Sequence, residues 1–402
     1  MIAFRFFLPP LFYLLLSIHP CRACLLEPVL TGLDVLKADN FQPLKGLRVG
    51  VITNHTGLDR AGESILDLLA ACPDVRLAAV FAPEHGLKGR LDSEYGHSNL
   101  VGKNTPVYSL YGKTRKPERK WLEGLDILVF DIQDIGTRFY TYITTLALAM
   151  QAASEAGIGI MVLDRPNPIG GLAVEGPVLE NALKGNFIAY YPIPVRHGLT
   201  VGELAGMFNS EFNIGAKLTV IRMQGWRRSM LWEDTGLKWV NPSPNMRSPM
   251  AALLYPGLGI AEAANLSVGR GTERPFEIYG APWITDSGLA DVLNEAALPG
   301  VRFVDTTFTP SAYVFKGEAC RGVRAEVTNS REFRSLDAGL HFLSTLQRLY
   351  PDKFDLSKID LWIGRRDVKD RIRRGEPADS ISAGWKAGLE QFKTIREKYL
   401  LY

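Results

Sequence analysis

The chain has 402 residues, 46% hydrophobic and 22% charged, which is more than one hydrophobic core usually fills and excludes a disordered or fibrous polypeptide. Its formal net charge is only +3, and the basic residues are dispersed apart from Arg365-Arg366 and the group Arg371, Arg373 and Arg374. That distribution leaves no footprint for nucleic acid, and the clusters read as a solvated helix face.

At the N-terminus a single arginine, Arg5, precedes the apolar run "FFLPPLFYLLLSI", which is shorter than a bilayer-spanning helix and has Cys21 and Ala23 as small residues before a cut. Residues 1–23 are therefore expected to be a secretory signal. The mature protein would begin near Cys24 and be periplasmic or secreted, with a lipid on Cys21 or Cys24 as the alternative. No later apolar segment is long enough to predict a stable membrane span. Cys24, Cys72 and Cys320 match neither a zinc knuckle nor a CxxC redox motif, so free thiols are expected, a Cys72–Cys320 disulfide being the alternative.

From Leu47 onward, four apolar, β-branched stretches each run into polar residues. "LRVGVIT" precedes Asn54-His55, and "VRLAAVFAP" precedes Glu84-His85. "LDILVFDIQD" precedes Gly136-Thr137-Arg138, and "IGIMVLD" precedes Arg165-Pro166-Asn167. Such runs read as parallel strands buried on both faces, and the helical spacing of 64–72 and of "YTYITTLALAMQAASEAG" supplies crossovers. The expectation is an α/β fold with a doubly wound parallel sheet whose carboxyl ends gather the polar clusters in one crevice. The stretch 92–120, rich in Gly, Lys, Asn and Tyr, reads as a flap beside Glu84 or a surface loop. Gly96, Gly102 and Gly112 would let it move, and Tyr95, Tyr108 and Tyr111 would cover a ligand.

Thr200 and Glu203 have the spacing of a capping box, predicting a helix, and "LTVIRM" a strand after it. The Trp- and Pro-rich passage 226–256 then marks a domain boundary near residue 250, because "NPSPNMRSP" sustains neither helix nor central strand. The division is a catalytic domain over 24–250 and a smaller α/β domain over 251–402, with helices predicted at 288–297, 335–349 and 383–399.

Glu84 follows a buried strand and a proline, where partial desolvation raises a carboxyl's pKa and suits it to general-acid work. His85 reads as orienting a neighbour. Asp134 reads as a second carboxylate or sugar ligand, or equally as an internal partner of Arg138, while Arg138 reads as a fork for a substrate carboxylate. Gln133 belongs to the same cluster. Asp164 and Asn167 read as loop scaffolding, with Glu175 nearby, and Arg196-His197 stand just before the Thr200 helix. Glu262, Asn265 and Arg270 cluster in the Gly-rich start of the second domain. No P-loop, G-x-G-x-x-G, H-E-x-x-H, G-x-S-x-G or S-x-x-K motif occurs, so no metal or cofactor is called for.

The blocks "VGVITNHTG", "FAPEHGLKG", "FDIQDIGTRFYTY", "VLDRPNPIGG", "VEGP", "PVRHGLTVGEL", "PSPNM" and "ANLSVGRGTERPFEIYGAPW" together resemble the exo-β-N-acetylmuramidase (NamZ-like) family over nearly all of the chain after the signal. The resemblance implies a Rossmann-like first domain and hydrolytic release of N-acetylmuramic acid from the non-reducing end of peptidoglycan fragments. It also implies Glu84 as the leading catalytic carboxylate, with Asn54, His85, Asp134, Arg138, Arg196 and Glu262 lining one cleft. Asp134, Glu175, Glu262 or the substrate's acetamido oxygen would be the second group. Arg138, Arg196 or Arg270 would grip the lactyl carboxylate that distinguishes muramic acid from glucosamine. The rival readings are a non-catalytic periplasmic receptor for sugars or muropeptides and a metal-dependent hydrolase using His55, His85 and Asp134.

Overall fold

The computed structural model describes residues 1–2, 28–90, 98–99, 104–285 and 288–402. The expected signal segment beyond Ile2, with Cys21 and Cys24, lies outside the described residues, as do Tyr95, Gly96 and Gly102 of the expected flap. In the first half the strands are β1 (Arg48–Thr53), β2 (Arg76–Ala82), β3 (Ser98–Asn99), β4 (Pro106–Ser109), β5 (Ile127–Asp131), β6 (Gly159–Leu163), β7 (Glu175–Val178), β8 (Pro194–Arg196) and β9 (Lys217–Ile221). The second half adds β10 (Ile278–Ala281), β11 (Val301–Phe308) and β12 (Cys320–Val327).

The main sheet has the order β3-β4-β2-β1-β5-β6-β9, all parallel except the β3 edge. Counted in chain order, its six parallel strands run 3-2-1-4-5-6, the doubly wound order that reverses direction between β1 and β5. The alternation of side chains explains why these strands read as continuous apolar runs. Val49 and Val51, Val129, and Met161 and Leu163 pack on one face with Leu33, Leu36, Ile65 and Leu69. Ile52, Leu128 and Phe130, and Ile160 and Val162 point into the opposite core. One departure from the sequence reading is β4: "PVYS" pairs with β2, so part of the expected flap is a sheet strand, with its proline at the first position where no ladder donor is needed.

The second half builds an antiparallel sheet, β10-β12-β11, against the Ser335–Leu349 helix, and the core on this side of the main sheet continues into it without a break. The predicted capping box at Thr200 is present, and the helix predicted over 383–399 appears as Lys386–Glu397, preceded by a separate short helix, Ala378–Ala383. The chain's last residues return to the first half: Tyr402 Oη donates to Asp164 Oδ2 at 2.8 Å, and Leu401 N donates to Glu203 Oε1 at 2.9 Å. Cys72 and Cys320 are both free thiols. Among the described residues no helix is long and apolar enough to cross a membrane.

Candidate active site

A cavity of about 220 Å³ opens between the two halves of the chain, lined from the first half by Glu84, His85, Tyr111, Phe139, Tyr140 and Thr141, with Ser243 and Tyr255 at the junction. Glu262, Arg270, Phe276, Tyr313 and Trp362 close it from the second half. Sequence reading had placed five of these residues near a site: Glu84, His85, Tyr111, Glu262 and Arg270.

Glu84 is half-buried just past β2, on a turn in which His85 and Gly86 both have positive φ (70° and 72°). Phe276 and Tyr313 are also left-handed, at 63° and 65°, so three of the eight non-glycine residues with positive φ among those described line this one cavity. Backbone strain of this kind persists only where surrounding packing over-determines it, and it concentrates at functional sites. Glu84 Oε2 accepts a hydrogen bond from Thr141 Oγ1 at 2.5 Å. Thr141 occupies the N-cap of the Tyr142–Ala156 helix but caps nothing with its side chain, so its hydroxyl serves the glutamate instead of the helix. Tyr140, Tyr142 and Tyr255 surround the carboxyl, and burial holds all three phenols far above their ordinary range, keeping them neutral donors.

Opposite stands an ion pair, Arg270 Nη2 to Glu262 Oε1 at 2.6 Å, with side chains 28% and 22% exposed. Tyr255 Oη faces the other Glu262 oxygen. The guanidinium lies 5.0 Å from the Tyr313 ring and 5.6 Å from the Phe276 ring, which fixes its plane. Gly271, at φ +80°, makes the arrangement possible: a Cβ there would sit 2.5 Å from Ala312 N, in the backbone that carries Tyr313.

The other expected site residues fall elsewhere, and each is a correction. Arg138 does not reach the cavity. It is 1% exposed and donates to the carbonyls of Pro177, Ile193 and Trp362, and burial lowers its guanidinium to about 9. It clasps the two halves of the chain together. Glu175 and Arg196 pair with each other across β7 and β8, and the second Glu175 oxygen accepts from Leu336 N at the start of the Ser335–Leu349 helix. His197 is fully buried, accepts from Leu199 N, and is held neutral, its pKa pushed down to about 3 by burial and the charges of Arg396, Arg138, Arg196 and Arg228. Asn265 ties Lys353 O to Asp355 N.

Asn54 closes its own turn on Thr56 and donates to Tyr142 Oη, and Gln133 donates to the carbonyls of Asp134 and Pro166. His55 Nε2 meets Asn241 O at 2.7 Å. Asp134 lies outside the cavity lining, 4% exposed; Gly136 N donates to its Oδ2, Oδ1 has no hydrogen-bond partner among the described residues, and burial lifts its pKa to about 7. Asp134 and Arg138 form no ion pair with each other. His55, His85 and Asp134 do not converge, and among the described residues no three His, Cys, Asp or Glu side chains gather as metal ligands. Asp164 and Asn167 are scaffolding as expected: Asp164 accepts from Thr200 Oγ1 and Gly202 N, and Asn167 donates to Leu199 O.

Sequence reading missed Phe139, Tyr140, Thr141, Ser243, Tyr255, Phe276, Tyr313 and Trp362. "FYTY" carried the one available signal, a polar and aromatic group directly after a strand-end turn, but its helical spacing absorbed it into the following helix. Ser243 and Tyr255 lie in the passage read as the domain boundary, whose tryptophans Trp226, Trp232 and Trp239 pack outside this cavity.

Residues 49–250 match the family described as exo-beta-N-acetylmuramidase NamZ, N-terminal, and residues 253–402 its C-terminal counterpart. A protein of Bacillus subtilis (strain 168) named peptidoglycan beta-N-acetylmuramidase NamZ is 45% identical over 379 residues, 93% of this chain and 91% of that one. Two crystal structures of DUF1343 family proteins from Bacteroides fragilis NCTC 9343 share the fold. One has a TM-score of 0.88 at 38% identity, the other 0.77 at 31%, and each alignment covers 93% of this chain and 99% of the other.

Proposed function

Because the chain belongs to the exo-β-N-acetylmuramidase NamZ family, we propose that its cavity seats one terminal N-acetylmuramic acid with Glu84 at the glycosidic oxygen and Arg270 at the lactyl carboxylate. The protein is a glycoside hydrolase of peptidoglycan, acting on glycan or muropeptide fragments in cell-wall turnover. One observation carries the assignment of roles: Glu84 from the first half and the Glu262–Arg270 pair from the second line the same small cavity.

Glu84 gives its proton to the departing oxygen as the bond to the anomeric carbon breaks. Water supplies the oxygen that replaces it, and the proton the water gives up returns Glu84 to its acid form. Among the carboxylates first considered for the second role, only Glu262 lines the cavity, so it assists at the anomeric carbon. A muramic lactyl carboxylate competes with Glu262 for the Arg270 fork, so that binding the correct sugar frees Glu262 to act. At about 220 Å³ the cavity falls below the usual 300–1,000 Å³ of ligand pockets, which suits one terminal ring better than the middle of a strand. Residues 24–250 thus provide the acid, and 251–402 the partner carboxylate and clamp. The N-terminal segment supports export, and N-terminal sequencing of the mature protein should begin near Cys24.

The test is incubation of the purified protein with matched chromogenic glycosides of N-acetylmuramic acid and N-acetylglucosamine. Colour from the first, and far less from the second, is expected. Tight binding without colour would return the reading to a receptor.

A further inference from the structure

The carboxyl edge of the main sheet holds a second cavity, of about 290 Å³, that shares no lining residue with the Glu84 cavity. Thr56, Gln133 and Arg165, just past β1, β5 and β6, form its floor. This is the place beside β1 and β5 where the strand order reverses, and open α/β sheets collect ligands there. The segment 240–243 divides the two cavities. Val240 lines the new one, Asn241 O is held by His55 Nε2, Pro242 O accepts from Tyr142 Oη, and Ser243 lines the Glu84 side.

One side chain more than nine-tenths buried in this wall keeps a donor that no described residue accepts. Arg165, 5% exposed, directs Nε and Nη2 to Asp131 and the Leu58 carbonyl, while its Nη1 makes no hydrogen bond. Arg60 and Lys238, both exposed, add positive charge at the same wall. The carboxylate in the lining, Asp59, is already matched by Lys37 Nζ at 2.6 Å. A cavity walled by cations, one of them a buried guanidinium with an unmatched donor edge, selects an anionic ligand with oxygen acceptors.

We propose that this switch-point cavity is a second ligand site, taking a carboxylate-bearing part of a peptidoglycan fragment. The identification of the ligand rests on the function proposed above, whereas the site itself stands on the donors and charges just described. Two sources of the carboxylate share this chemistry, a muramic lactyl group and the acidic side chain or end of a stem peptide.

Calorimetric titration of the full chain separates them, using N-acetylmuramic acid, N-acetylglucosamine and an alanyl-glutamate dipeptide as probes. Saturable binding of muramic acid or of the dipeptide is expected to weaken at least tenfold in Lys238→Glu and to survive in Arg270→Ala. N-acetylglucosamine should not occupy this site. The probe that responds to Lys238→Glu identifies the source. Arg60→Glu, at a second exposed position, should repeat the loss if Lys238→Glu misfolds by its melting curve. Carboxylate binding that is abolished by Arg270→Ala and unmoved by both charge reversals overturns the second site. Muramic acid binding that persists in Lys238→Glu and is unmoved by a further Arg270→Ala keeps this site and removes Arg270 from the clamp role.

Discussion

At or just past β5 and β6 and within the β7–β8 pair, Asp131, Asp164, Glu175, Arg138 and Arg196 are all buried and held by partners inside the protein. Past β2, Glu84 is half-buried with a hydroxyl beside it, and the Glu262–Arg270 pair opposite keeps about a quarter of its side-chain surface open. Both regions sit at strand ends and both look functional in sequence. Taking a charge out of water costs several kcal/mol unless the protein matches it, so a fully buried strand-end charge has been committed to the fold. A charge that keeps access to water can still exchange that water, or a nearby partner, for a substrate group.

The strongest way to break this comparison is Glu84→Gln. It should lower release of the terminal sugar by about 10²–10⁴-fold with an unchanged melting temperature, and near-normal turnover would remove Glu84 from the acid role. Asp131→Ala should do the reverse. By leaving Arg165 buried and unmatched it should cost about 3–5 kcal/mol in chemical denaturation, and a loss under 1 kcal/mol would undo the scaffold reading of that region. Arg270→Ala should reduce the preference for muramic over glucosamine termini by roughly 10–100-fold, the range of one charge-assisted hydrogen-bonded contact, with stability nearly intact. If the preference persists, the lactyl carboxylate is read elsewhere.

Asp134 offers a pH test between the two regions. Burial raises its carboxyl from the ordinary 3.8 to about 7, so the fold favours the protonated form. That stabilisation is fully present below pH 3.8 and is lost as the pH rises through 7. Asp134→Asn should therefore match the wild type near pH ~4 and outlast it near pH ~8, by at most about 1.4 kcal/mol per pH unit crossed. An equal gap at both ends would show that the carboxyl is not buried in solution. The smallest expected effect is Thr141→Val, about 10-fold in kcat with KM little changed and restored by Thr141→Ser, as one lost hydrogen bond to the carboxylate that forms when Glu84 gives up its proton predicts. A purely structural role would lower stability in both variants and leave the split between kcat and KM unaltered.

How much was legible in the sequence follows the range of the interactions involved. The parallel strands were readable because burial on both faces makes a strand apolar at every position, and the Thr200 helix because its cap lies within three residues. Glu84 was readable because Pro83, Glu84 and His85 end such a strand. The short β4 was hidden among polar neighbours, and Thr141 was hidden because its helical spacing says nothing of a hydroxyl turned toward a residue 57 positions earlier.

Sequence alone determined the doubly wound sheet and the position of Glu84 just past a buried strand, since these depend on local periodicity and residue type. Only the tertiary structure decided which arginine faces the cavity and which clasps carbonyls. Arg138 and Arg270 carry the same charge beside similar turns, and burial depth, which depends on packing between distant segments, separates a structural cation from one open to substrate.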